Sequence, residues 1–118
     1  MARILVADDN VEQVDLQRQL LEALGHEVGT ALSPLETLQE LARKTPDVIV
    51  VDLRFPTTAD GLGLIRDIRE TGCLQPVILL SGWPDELYGA PEEQMVSRVV
   101  VKGSARELLR TIAELLRA

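Results

Sequence analysis

Polar residues able to do chemistry stand directly behind short apolar runs at four places in this chain. Asp8-Asp9 follows Ile4-Leu5-Val6-Ala7, Asp52 follows Val48-Ile49-Val50-Val51, Ser81 follows Val77-Ile78-Leu79-Leu80, and Lys102 follows Val99-Val100-Val101. If each run is a strand of one parallel sheet, these residues meet at its carboxyl edge, where open α/β sheets place their sites. Clustered carboxylates repel one another and acquire raised, coupled pKa values unless a cation joins them. An oxygen-only ligand set with room for water and phosphate suits Mg²⁺. Lys102 supplies the positive charge that a phosphoryl group needs, and Ser81 a hydrogen bond to one of its oxygens. Phosphoryl transfer asks mainly for positioning and charge neutralisation, and this set offers both.

Taken singly, most of these residues have ordinary explanations. Asp8 or Asp9 can favour the start of the next helix. Ser81-Gly82 is a common turn pair, and a lone lysine is usually solvated. Asp52 is harder to dismiss, because an aspartate closing a Val-Ile-Val-Val run enters a partly desolvated position. The joint placement at four strand ends carries the chemical reading.

The positioning elements are legible from hydrophobic pattern. The four runs are short, nearly continuous and rich in β-branched residues, as in strands buried on both faces of a parallel sheet. Glu27-Val28-Gly29-Thr30-Ala31 alternates more and contains glycine, which marks a weaker edge strand. Asn10 can cap a helix carrying Val14, Leu20, Leu21 and Leu24, ending at Gly25. Ser33-Pro34-Leu35-Glu36 is a capping box ahead of Leu38, Leu41 and Ala42. Asp60 opens a helix with Leu62, Ile65 and Ile68 that stops near Gly72. Ser104-Ala105-Arg106-Glu107 is a second capping box before Leu108, Leu109, Ile112, Leu115 and Leu116. Trp83 to Ser97 holds Pro84, Gly89 and Pro91, so the fourth helix should be short or broken. Five alternations of strand and helix imply a doubly wound α/β sheet with helices on both faces.

Composition narrows the function classes. A chain of 118 residues reads as one domain, 1–118, with enough buried surface to need no staple. Its single cysteine, Cys73, cannot form an internal disulfide, and a packing role at a helix end explains it. Nineteen acidic against twelve basic residues leave a net charge of −7, which opposes direct nucleic-acid binding. No stretch approaches the ~20 apolar residues of a membrane span. Met1-Ala2-Arg3 runs straight into a strand-like segment with no signal-peptide pattern. A cytoplasmic location is expected.

The ordered set resembles the receiver domain of two-component response regulators, over essentially the whole chain. Asp8-Asp9, then Asp52-Leu53-Arg54-Phe55-Pro56 with Asp60-Gly61 behind it, then Ser81-Gly82, then Lys102 occur in that family's order and approximate spacing. The resemblance implies a flavodoxin-like sheet of order 2-1-3-4-5 flanked by five helices, as in single-domain chemotaxis regulators. It implies Asp52 as phosphoacceptor from a phosphohistidine on a sensor histidine kinase or phosphotransfer protein. Asp9 would ligate Mg²⁺ directly, Asp8 largely through water, with Asp52 and the Arg54 backbone carbonyl completing the set. Ser81 would swing towards the phosphoryl oxygens, and Lys102 would pair with the phosphorylated aspartate. An effector protein would read the switch, and the chain would be a monomer or weak dimer.

Departures from the family pattern accompany the match. One extra residue stands between Pro56 and Asp60-Gly61, lengthening the loop beside the phosphoacceptor. Gly103 replaces the proline that usually follows the lysine, and a non-proline cis bond costs ~2.5–4 kcal/mol. Val99 occupies the place of the aromatic whose rotation reports phosphorylation, and Tyr88 lies too far upstream to replace it. The broken Trp83–Ser97 segment stands where many receivers have an output helix. Arg54 and Trp83, each two residues past a site residue, flank the centre with Gly82. They either set the lifetime of the acyl phosphate or simply pack as a cation–π pair.

Other classes fit less well. A pseudo-receiver acting as a phosphorylation-independent interaction module would commonly lack an acidic residue or the lysine. A flavin or nucleotide binder would carry a Gly/Ser/Thr-rich phosphate loop after its first strand, where Asp8-Asp9 stands instead. An aspartyl phosphatase would need its spaced aspartate motif there and a longer chain. The expected role is phosphoacceptor signalling with no turnover substrate.

Overall fold

The computed structural model describes residues 2–117. Its strands are β1 (Arg3–Ala7), β2 (Glu27–Ala31), β3 (Val48–Asp52), β4 (Val77–Ser81) and β5 (Arg98–Val101). They form one parallel sheet in the order β2-β1-β3-β4-β5. The helices among the described residues are α1 (Val11–Ala23), α2 (Pro34–Arg43), α3 (Thr58–Glu70) and α4 (Ala105–Arg117). The expected five-helix count is not reached. Two 3₁₀ turns, Pro84–Glu86 and Pro91–Met95, stand where the fourth of five helices would lie, and their prolines and Gly89 account for it.

Side-chain alternation along the strands builds two cores. One face packs Leu5, Ile49, Val51 and Leu79 against Leu64, Ile65 and Ile68 of α3, with Leu38 and Leu41 of α2 behind. The other packs Ile4, Val6, Val50, Ile78 and Val100 against Val14 and Leu21 of α1 and Leu108 and Ile112 of α4. Strands β1, β3 and β4 are buried throughout, which explains their unbroken apolar runs. The edge strand β5 departs from expectation. Only Val100 is buried, while Val99 and Val101 point to the opposite face and remain 37% and 49% exposed. The 3₁₀ segment on that face turns towards α3 and leaves them uncovered.

Helix starts follow the local signals with one correction. Asn10 accepts the Gln13 amide, Ser33 the Glu36 amide and Ser104 the Glu107 amide. The return bond of the first capping box goes to Leu32 N–H at 3.1 Å, one residue upstream of the cap. Helix α3 begins at Thr58 with Thr57 as cap, two residues before Asp60. Asp60 instead donates its amide to the Thr57 hydroxyl, which donates to Asp60 Oδ2 at 2.7 Å. Threonine is itself a favoured cap, and here it takes the place expected of the aspartate. Helix α1 ends at Ala23, leaving Leu24 60% exposed rather than in the apolar stripe, and Gly25 turns the chain at φ +91°.

Candidate functional site

Strand register brings the first two carboxylates together. Ala7 pairs with Val51 and Val51 with Leu79, so Asp8 lies level with Asp52 on the neighbouring strand. Adjacent parallel strands run roughly 4.8 Å apart, and level residues point to the same side. Ser81 pairs with Val101 one step further out, and Lys102 follows. The backbone ties this rim together: Asp8 N–H donates to Ala31 O, Leu53 N–H to Leu80 O, and Lys102 N–H to Ser81 O.

The pocket is buried and strongly polar. Asp8, Asp52 and Ser81 are each almost wholly enclosed, whereas Asp9 is exposed. Carboxylate oxygens of Asp8, Asp9 and Asp52 lie within 4.8 Å of one another. Lys102 Nζ donates to Asp52 Oδ2 at 2.8 Å and stands 3.9 Å from Asp8 Oδ2. Asp8 Oδ1 accepts the Asn10 amide at 3.0 Å, but its buried Oδ2 has no hydrogen-bond partner. Burial, with the Asp52 charge adding to it, pushes the Asp8 carboxyl up to about 6 against the Asn10 bond and Lys102. One ammonium does not balance three carboxylates. The unpartnered buried oxygen and the all-oxygen donor set fit a hard divalent cation.

Loop β3–α3 is held in place by close packing. A Cβ on Gly61 would lie 1.8 Å from the Leu53 carbonyl oxygen, so only glycine lets α3 approach the chain just past Asp52. Leu53 and Phe55 are buried on either side of exposed Arg54, anchoring the loop and turning Arg54 outwards. Phe55–Pro56 is the cis peptide among the described residues, and Lys102–Gly103 is trans, with Gly103 at φ +109°.

Arg54 and Trp83 meet to form an exposed lip on the rim, just past Asp52 and Ser81. The Arg54 guanidinium lies 4.2 Å from the centroid of the Trp83 ring, the pairing raised by the two residues' positions in the chain. Gly82, between Ser81 and Trp83, is exposed, and the Trp83 amide donates to Ser81 Oγ at 2.9 Å. Two members of this lip were not found from the sequence. Glu86 pairs with Arg54 through both carboxylate oxygens, and Thr58 Oγ1 donates to Glu86 Oε2 at 2.6 Å. An acid 32 residues beyond Arg54, inside a segment read only as broken, carries no local signal of such a role.

On the other side, a cleft of about 440 Å³ opens between α1 and α4 beside the pocket, lined by Asn10, Gln17, Leu20, Lys102, Ser104 and Leu108 among others. No described helix is long and apolar enough to cross a membrane.

Comparison with known proteins agrees with this geometry. Residues 4–114 match the family model "Response regulator receiver domain". A protein-glutamate methylesterase/protein-glutamine glutaminase of Anaeromyxobacter dehalogenans is 33% identical over 98% of this chain and 35% of its own length. The response regulator MprA of Mycobacterium leprae is 35% identical over 67% of this chain and 34% of its own. The chain thus spans about a third of these relatives. Among solved structures, the response regulator TrrA of Thermotoga maritima in complex with Mg²⁺-BeF superposes with a TM-score of 0.85 at 26% identity, covering 98% of this chain and 99% of that one. The receiver domain of the Francisella response regulator 1452 gives 0.87 at 25% identity, over 99% and 98%. With its acidic pocket, lysine and sheet order, the chain belongs to the response regulator receiver domain family.

Proposed function

We propose that Asp52 accepts a phosphoryl group from the phosphohistidine of a sensor histidine kinase or phosphotransfer protein, in a Mg²⁺-dependent reaction. The observation that carries this reading is the Lys102 ammonium 2.8 Å from Asp52, next to a buried Asp8 oxygen without a hydrogen-bond partner. Asp8, Asp9 and Asp52, with the Arg54 backbone carbonyl, would hold the cation. Bound there, Mg²⁺ neutralises charge on the transferring phosphoryl group. The TrrA structure, which carries magnesium and beryllofluoride, supports the same reading for this similar chain.

The chain's own residues do the rest. Asp52 offers its carboxylate from a rim that strand register holds still. Lys102 supplies a charge-assisted hydrogen bond that persists as the oxygen it contacts becomes part of an acyl phosphate. Ser81 exchanges the Trp83 amide for a phosphoryl oxygen, and Gly82 lets its loop follow. Arg54 and Trp83 shield the acyl phosphate from water and so set its lifetime.

Residues 1–118 act as one cytoplasmic phosphoacceptor unit without a turnover substrate, and an effector protein reads its state. The esterase activity named for the longer relative is not carried over to a chain spanning 35% of it. Incubation with Mg²⁺ and acetyl phosphate followed by intact mass tests the proposal. One added phosphoryl group, absent without Mg²⁺ and in Asp52→Asn, is the expected result. No gain in the unaltered protein would leave an interaction module in place of a phospho-switch.

A further inference from the structure

Arg54 is shared between two parts of the rim. Its side chain leaves the loop two residues after Asp52, rests on the Trp83 ring at 4.2 Å, and forks onto Glu86. Thr58, at the start of α3, holds Glu86 from the other side at 2.6 Å. Trp83 is in turn bonded through its amide to Ser81 Oγ at 2.9 Å. The contacts form a circuit from the Asp52 loop through Arg54 to Trp83 and Ser81, with Glu86 and Thr58 as its brace.

Charge decides how that circuit responds. A guanidinium fork suits a carboxylate and a phosphoryl group equally well in geometry. A phosphoryl group brings roughly −1.5 to −2 charges against the single charge of Glu86. The Arg54 side chain is 49% exposed and that of Glu86 27%, so water reaches and weakens the pair and a stronger anion nearby can compete.

We propose that Glu86, braced by Thr58, is a positioning residue for Arg54. It holds the guanidinium on Trp83 in the unphosphorylated protein and competes for it with the phosphoryl group on Asp52. Transfer of Arg54 to the phosphoryl group leaves Glu86 with Thr58, removes the cation from the Trp83 face, and loosens the 84–90 turn. This couples the acceptor to the broken segment without the missing strand aromatic. The inference rests on Asp52 being the phosphoacceptor.

Trp83 is the single tryptophan, so its fluorescence reports this spot alone. Beryllofluoride titrations with Mg²⁺ would compare the unaltered protein with Glu86→Gln, Arg54→Gln and the double variant. Midpoints would be read from fluorescence and, independently, from thermal shift. Glu86→Gln keeps an acceptor for Thr58 but removes the competing charge. Its midpoint should fall about two- to fivefold, the range an exposed ion pair is worth. The Arg54→Gln midpoint should rise by a similar factor, and the double variant should match Arg54→Gln. Equal midpoints for Glu86→Gln and the unaltered protein would overturn the proposal. So would a Glu86→Gln effect that persists in the Arg54→Gln background, because Glu86 would then act through loop structure alone. Intact mass after acetyl phosphate separates the two levels. An unaltered protein that gains no phosphoryl group removes the Asp52 reading and this one with it. A phosphorylated protein with unmoved midpoints removes this one only.

Discussion

The acidic pocket and the segment between β4 and β5 border the same rim but are built by different means. The pocket is fixed by backbone: strand register sets Asp8 beside Asp52, and Gly61 lets α3 lean on the Leu53 carbonyl. The segment has no long helix and is fixed by side chains reaching from α3 and its preceding loop. Leu87 is buried in the core, Arg66 reaches Glu92 at 3.3 Å, and Arg69 donates to the Cys73, Gln75 and Met95 carbonyls. Register is shared by the whole sheet and resists change, whereas individual side-chain ties can be exchanged one at a time. The pocket is thus held by contacts that move together, and the segment by contacts that can be exchanged singly.

Substitutions in the two regions sharpen this contrast, and the largest effect belongs to the pocket. Gly61→Ala should cost about 3 kcal/mol in urea unfolding, because two backbone segments would have to separate. A loss below about 1 kcal/mol would show that the loop yields as easily as the segment. Arg69→Ala comes next, at about 2 kcal/mol, since carbonyls of the α3–β4 loop and the second 3₁₀ turn lose their donor together. Hydrogen exchange should rise across 91–96 and leave β3 protected. Exchange spreading into β3 would mean that the two regions are one cooperative unit.

Asp8→Asn should act with the opposite sign. The Asp8 carboxyl is raised from 3.8 to about 6, so the folded protein holds this proton more tightly than the unfolded chain. This group's contribution to stability therefore falls as pH rises from about 4 to about 6, and is least favourable above that. At pH 7 without metal, Asp8→Asn should gain about 1 kcal/mol and lose that part of the pH slope. Stabilisation by Mg²⁺ should be lost in the same variant, as thermal melts with and without the ion would show. Trp83→Ala should be the mildest, shifting Tm by no more than about 2 °C, because the residue is 60% exposed. A larger shift would make the lip a structural element.

Much of this fold was legible because its signals are local. The runs at Ile4, Val48 and Val77 declare buried parallel strands, and Asn10, Ser33 and Ser104 each cap the helix they precede. Proline and glycine between Trp83 and Ser97 break the helix there. The rim residues Asp8, Asp52, Ser81 and Lys102 follow from chain order, because parallel strands must all end on the same edge. Two expectations differ from the structure. The apolar run at Val99 resembled a buried strand, and Asp60 resembled a helix start beside the threonine that serves as one.

What the sequence alone determined is therefore the sheet, its edge and the residues delivered to that edge. Tertiary structure decided which of them touch. The Asp8 oxygen left without a hydrogen bond, the grip of Glu86 on Arg54 with Thr58 behind it, and the hold of Arg69 on Met95 are not written in any window of the chain. These last partners stand 26 to 32 residues apart, and their meeting depends on the register of a sheet and the path of a loop. Hydrophobic period and capping act over a few residues. Desolvation and ion pairing act over a few ångströms, and only the folded chain converts one distance into the other.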